Sequence, residues 1–133
     1  MVESVVGLLF LLLVIILTFE MLFVFMSYMT LMNSAAQGAI QASGHPNMVT
    51  GDAHYDDYIA DIQGEAVAGG LTWNDVSIHP PLLPPTVIQG EPITVTIDYT
   101  MTTPFSEIIF PMFGRFGMPT EYHITAWTAV PIR

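Results

Sequence analysis

VVGLLFLLLVIILTFEMLFVFMSYMTLM, residues 5–32, decides the fold. These 28 residues carry polar side chains only at Thr18, Glu20, Ser27, Tyr28 and Thr30, and they include no Lys, Arg, Pro or Asn. Eighteen or more apolar residues in a row read as a membrane-spanning helix. At about 1.5 Å per residue this run exceeds a hydrocarbon layer of roughly 30 Å. Glu20 is the exception within it, because a carboxylate near the centre of a bilayer costs on the order of a few kcal/mol unless it is paired or protonated.

The remainder of the chain has to fit around that helix. Of 133 residues, about 40 belong to the helix and its continuation, leaving roughly 90 for one small domain, near the lower limit for a single core. The expected division is 1–43 for a transmembrane or filament-core helix and 44–133 for a small α+β domain. Two basic residues, Arg115 and Arg133, stand against twelve acidic ones, for a net charge of −10. Such a surface repels phosphate, which argues against nucleic acid as a partner and against binding to an anionic membrane face. With no Cys, disulfides and thiolate chemistry are excluded. No basic residue precedes the apolar run, and neither a basic leader nor a small-residue cleavage site is visible. One reading is a chain already processed, whose α-amino group at Met1 is the only positive charge near Glu3.

Past Met32 the helical pattern continues and is expected to end at Gly44, with Pro46 beyond it. Ser34, Gly38 and Ala42 are spaced by four, as are Ala35, Ala39 and Ser43. Small residues at this spacing let another helix or a sheet approach closely. Asp52 is a plausible N-cap for a second helix running to about Ala68, with Tyr55, Tyr58, Ile59, Ile62 and Ala66 on one apolar stripe and Asp57, Asp61 and Glu65 on another face. Gly69 and Gly70 end it. Leu71 to Ile78 leans towards strand, whereas His79 to Pro85, with four prolines, suits neither a helix nor a central strand. Ile93 to Met101 alternates apolar and polar residues, and Glu121 to Val130 does the same, with Tyr122, Ile124, Ala126 and Thr128 on one side. These segments predict an antiparallel sheet of three or four strands.

Between the two clear strands, residues 104–117 hold Phe105, Ile108, Ile109, Phe110, Phe113 and Phe116. A connection this apolar marks an interface with a neighbouring subunit or a membrane surface, or else folds over its own sheet as a second core. Phe105, Ile108, Phe110, Phe113 and Phe116 are the candidate lateral contacts.

No catalytic or metal-binding constellation emerges. Asp52, Asp56, Asp57 and Asp61 lack the alternating loop and central Gly of a calcium site and read as a solvated helix face. His45, His54, His79 and His123 have no zinc-ligand spacing. There is no nucleophile elbow and no phosphate-binding Gly-rich loop. Phe10, Phe19, Phe23, Phe25 and Tyr28 read as helix packing. The expectation is a structural protein that is not an enzyme and needs no cofactor.

Glu3 and Glu20 flank an almost purely aliphatic run that leads into Leu31-Met32-Asn33-Ser34-Ala35-Ala36-Gln37-Gly38-Ala39. This arrangement resembles the TadE-like pseudopilins of the type IV pilus superfamily, whose pattern is a Val-Glu-Phe entry, an aliphatic run, a second Glu and a Gln-Asn-Ala-Ala-x-x-Gly-Ala segment. The likeness covers residues 2–43 well and 91–130 loosely, and 45–85 carries no matching motif. It implies a pilin-like α+β subunit inserted in the cytoplasmic membrane, trimmed by a prepilin peptidase and handled by pilus assembly machinery. The subunit would then be built into an extracellular homo-oligomeric helical filament, with N-terminal helices in the core. It also implies that Glu3 meets the free α-amino group of a neighbour, a pairing that physics favours among packed apolar helices. The chain departs from the pattern in placing this residue third rather than fifth. Glu20 is expected to take part in assembly, to find a polar partner such as Thr18 or Ser27 of an adjacent helix, or to be protonated. The alternative is a single-pass, membrane-anchored accessory pseudopilin or secretion-system component outside the bulk polymer. A filamentous-virus coat protein is disfavoured by the lack of Lys.

Overall fold

The computed structural model describes residues 2–82, 88–103, 109–110, 114–115 and 119–133. Two helices come first, α1 (Val2–Gly44) and α2 (Ala53–Ala68), followed by a short 3-10 turn (Trp73–Asp75). The strands are β1 (Val76–Ile78), β2 (Pro92–Thr102), β3 (Ile109–Phe110), β4 (Gly114–Arg115) and β5 (Glu121–Pro131). The result is α+β, with a three-stranded antiparallel sheet in the order β1-β2-β5 and a separate two-stranded ladder of β3 with β4. By contacts the chain forms two compact units, one of residues 1–26 with 101–122 and one of residues 27–100 with 123–133.

In the larger unit the core follows from three sequence periodicities. Leu31, Ala35, Ala39 and Ala42 of α1 are fully buried, as are Tyr58, Ile62 and Ala66 of α2. The inward positions of β2 (Ile93, Val95, Ile97 and Tyr99) and of β5 (Ile124 and Ala126) complete it. Both small-residue series of α1 lie at buried positions, Ser34, Gly38 and Ala42 together with Ala35, Ala39 and Ser43. The reason is visible at Gly38, where a Cβ would lie 2.5 Å from Ile62 Cδ1 and 3.1 Å from Tyr58 Cε2. A helix surface without side-chain bulk is what lets α2 come this close. Ser34 and Ser43 avoid an unpaired buried hydroxyl by bonding back to the Thr30 and Ile40 carbonyls, at 3.0 and 2.8 Å.

α2 begins where expected, although Asp52 does not cap it with its side chain. Its Oδ2 instead accepts from the Val49 N–H at 3.2 Å, tying down the preceding turn. The helix ends on Gly69 and Gly70. The Leu71 N–H reaches back to the Ala66 carbonyl at 3.0 Å, and Gly70 adopts φ +88°, a left-handed conformation that glycine takes without steric cost. Gly69 has a different constraint, since a Cβ there would fall on the side chain of Thr30 in α1. Thr is β-branched and has few χ1 rotamers in a helix, so relieving the contact requires the Thr30 side chain or the backbone to shift. Gly69→Ala is therefore expected to lower stability by about 1–3 kcal/mol, with Thr30→Ala recovering most of the loss; thermal unfolding of the two single variants and the double variant checks it.

Two expectations need correction. Strand structure over Leu71–Ile78 is confined to Val76–Ile78, because the Asp75 N–H closes a turn onto the Thr72 carbonyl at 3.1 Å and diverts residues 73–75 from extended geometry. The connection 104–117 is more than a loop, since it contains the β3–β4 ladder, with Ile109 paired to Arg115 and Phe110 to Gly114. Phe105, Ile108, Phe113 and Phe116 lie outside the described residues, and for Phe110 only the backbone pairing is described.

Candidate functional site

α1 from Glu3 to Gly44 is the one helix among the described residues long and apolar enough to cross a membrane, and only 6% of its most apolar window is buried. Leu8, Phe10, Leu11, Phe19, Met21, Leu22 and Phe25 are all exposed. Half-covered positions recur at Leu9, Leu13, Ile16 and Val24, a single stripe at the spacing of one helix face. Glu20 lies in this stripe and is its most buried member, with 2% of its surface exposed.

Within the smaller unit the carboxylate of Glu20 meets the end of the sheet. Thr103 Oγ1 donates to Glu20 Oε1 at 2.6 Å. Thr103 stands there because the inward series of β2, Ile93-Val95-Ile97-Tyr99-Met101, steps by two and its next member is a hydroxyl. The Thr103 N–H in turn donates to the Thr120 carbonyl at 3.2 Å, which fixes the position against the start of β5. Tyr122, the first inward residue of β5, also senses the carboxylate. Its phenol is held above the ordinary tyrosine range by burial first, then by the Glu20 charge and a hydrogen bond towards it. Oε2 is buried with no hydrogen-bond partner among the described residues. The arrangement leaves one buried lone-pair site able to accept a further donor.

The positions singled out in the sequence are separated by this geometry. Glu3 is exposed, and Met1 lies outside the described residues. Thr18 Oγ1 bonds to its own Val14 carbonyl at 2.7 Å. Ser34, Gly38 and Ala42 are buried in the larger unit, where Gly38 meets α2. Sequence reasoning missed Thr103 and Tyr122, and the available signal was the one hydroxyl in each inward series nearest the connection. Among the described residues no group of three or more His, Asp or Glu side chains could hold a metal ion.

The outward face of the sheet carries a second polar cluster. His79 Nε2 lies 2.6 Å from Asp98 Oδ2, and Thr125 Oγ1 donates to Asp98 Oδ1 at 2.5 Å. The bond from Thr125, followed by the one from His79, holds the Asp98 carboxyl below the usual aspartate range, with partial burial opposing. A folded-state pKa below the unfolded one means this stabilisation is complete above the ordinary Asp value of about 3.9 and is lost as pH falls through the lower folded value. Asp98→Asn is expected to cost up to about 1 kcal/mol at pH 7, the range of exposed pairs. That difference should shrink towards zero in the most acidic buffers, which urea unfolding of both chains across pH 2–7 checks.

The fold and this carboxylate site rest on the chain's own geometry, since no family model, curated protein or solved structure matches it.

Proposed function

We propose that the chain is a structural subunit that sits in the membrane through α1 and is then assembled through the same helix into an extracellular filament of the type IV or Tad-like pilus kind. The observation that supports this most is the bare apolar surface of α1: residues from Val5 to Phe25 stay exposed on most of the helix circumference. At about 25 cal/mol per Å², so much apolar surface favours lipid or other helices over water. Neighbouring copies of α1 supply such cover in a filament core. The acidic remainder, with the chain at net −10, suits a solvated outer wall whose charge keeps filaments dispersed. In this reading Glu3, exposed in the single chain, is free to meet a neighbour's α-amino group. The prepilin peptidase and assembly machinery implied by the resemblance belong to the same proposal.

One observation favours a second reading, a single-pass anchored accessory component. Glu20 Oε1 finds its donor in Thr103 of its own chain, so this oxygen does not need a neighbouring subunit. Electron microscopy of material sheared from cells, with mass spectrometry of the N-terminus, separates the two. Filaments built of this chain, lost in Glu3→Ala while membrane insertion persists, support the polymer; a chain confined to the membrane fraction, with no fibres containing it, supports the anchor.

A further inference from the structure

The sheet has two faces of opposite character. Its inward face is the core, whereas its outward face carries hydroxyls, the carboxylates of Asp98 and Glu121, imidazoles and an exposed indole. Three pairings fix the positions on it. Ser77 stands opposite Asp98, the His79 N–H bonds to the Thr96 carbonyl at 3.1 Å, and Leu82 bridges Thr94. On the other side of β2, Thr125 reaches Asp98 and Thr100 Oγ1 lies 3.2 Å from His123 Nδ1. Each step of two along β5 is therefore matched by a step of two back along β2. The same progression sets Trp127 across from Thr96, so that His79, Thr96 and Trp127 form one row over three strands. The next row is Ser77, Asp98 and Thr125. Neighbouring strands are about 4.8 Å apart, so His79 and Trp127 are separated by roughly 10 Å with a hydroxyl between them.

We propose that this outward face binds neutral sugars, with the Trp127 indole as the stacking platform and Thr96, Asp98 and His79 as the hydrogen-bonding groups beside it. Trp127 is 63% exposed, with Thr96 across from it and Thr125 and Ala129 two positions away on β5. An indole offers a flat, electron-rich surface that suits the C–H-bearing face of a pyranose. The surrounding groups both donate and accept, as a ring edged with hydroxyls requires. They are also pre-organised, because both Asp98 oxygens are engaged and the bond to Asp98 fixes the His79 ring.

Charge narrows the ligand class. Asp98 and Glu121 lie on the outward positions of β2 and β5, no Lys or Arg does, and the whole chain is at −10. Sialylated, sulfated or phosphorylated ligands are therefore repelled. A quaternary ammonium group fits less well, because among the described residues no second carbon ring joins Trp127 into a cage. Residues 76–79, 94–100 and 123–131 lie in one compact unit, and the proposal does not rest on the filament reading.

The test is a glycan array probed with the full chain, held in a detergent without a sugar headgroup. Glucose-, galactose-, mannose- and N-acetylglucosamine-terminated neutral glycans are spotted beside sialylated and sulfated ones. Retention on neutral glycans is expected, weakened roughly tenfold in Trp127→Ala, the scale of a lost ring-stacking contact, and several-fold in Asp98→Asn. Thermal unfolding confirms that each variant is folded. In a Trp73→Phe chain Trp127 is the sole indole, and its emission should shift as the best-retained neutral oligosaccharide is titrated, a readout that needs no substitution at Trp127. No neutral glycan retained, stronger retention of anionic glycans, binding indifferent to Trp127→Ala, or a silent Trp127 emission would each overturn the proposal.

Discussion

Gly38→Leu is expected to lower the melting temperature of the chain in detergent by roughly 5–20 °C. Leucine adds a branched side chain where even a first carbon would lie 2.5 and 2.7 Å from Cδ1 and Cγ1 of Ile62. Ile62 and Tyr58 are themselves fully buried, so the intruding atoms can be accommodated only by separating α1 from α2 or by forcing off-rotamer side chains. Overpacking of this kind costs typically 1–3 kcal/mol and occasionally more, and each kcal/mol moves the midpoint of a 60–100-residue domain by about 4–8 °C. The origin of the loss can be tested directly. Ile62→Ala alone opens a cavity and should cost about 2–5 kcal/mol. Combined with Gly38→Leu, the new side chain enters that cavity, and the double variant should be clearly more stable than the sum of the two losses predicts. Strict additivity would show that the two residues do not meet.

The second large effect concerns Glu20. Thr103→Val keeps the shape of the side chain while removing the donor, leaving a buried carboxylate short of its hydrogen bond. A loss of about 1–3 kcal/mol follows, concentrated in the unit formed by residues 1–26 and 101–122. Hydrogen exchange should show it as faster amide exchange around 101–103 and 119–122. Glu20→Leu combined with Thr103→Val removes the carboxylate together with its Thr103 donor, and replacing buried polar groups by apolar ones of similar volume is close to neutral or stabilising. The double variant should thus recover most of what Thr103→Val loses. Should Thr103→Val exchange and unfold like the unaltered chain, the bond from Thr103 contributes nothing to holding this unit together.

These two sites differ in how far the sequence revealed them. Gly38 was visible because a four-residue spacing of Ser34, Gly38 and Ala42 has one geometric meaning on a helix, and the stripe of Tyr58, Ile62 and Ala66 on α2 has the complementary one. Regular periodicity likewise placed α2, β2 and β5 within a residue or two of their observed limits. The oddity of Glu20 was equally plain in the sequence. Its partner was not, because Thr103 and Glu20 are 83 positions apart and no local pattern relates a helix residue to the end of a distant strand. The hydroxyl closing an otherwise apolar inward series was the trace it left. At Leu71–Ile78 the β-leaning composition was overridden by a local turn, since Asn74 and Asp75 favour such turns over extended pairing. The outward sheet face gave only alternation in the sequence. The meeting of His79, Asp98 and Thr125 requires the order β1-β2-β5, which alternation cannot supply.

The carboxylate of Glu20 has a consequence for alignment. A helix coated with Leu, Ile, Val, Phe and Met presents nearly the same surface after a shift of one turn, about 5.4 Å. Hydrophobic contact is non-directional and hardly distinguishes such slipped placements. A single oxygen-to-hydroxyl bond does distinguish them, because any slip takes the Thr103 donor away from the buried Glu20 carboxylate at a cost of a few kcal/mol. Glu20 therefore works as an index notch on the N-terminal half of α1, which lacks the close steric fit that Gly38 makes with Ile62 further along the helix. Its aliphatic neighbours can be exchanged for one another at little cost, while the notch itself sets which of several near-equivalent alignments the chain adopts.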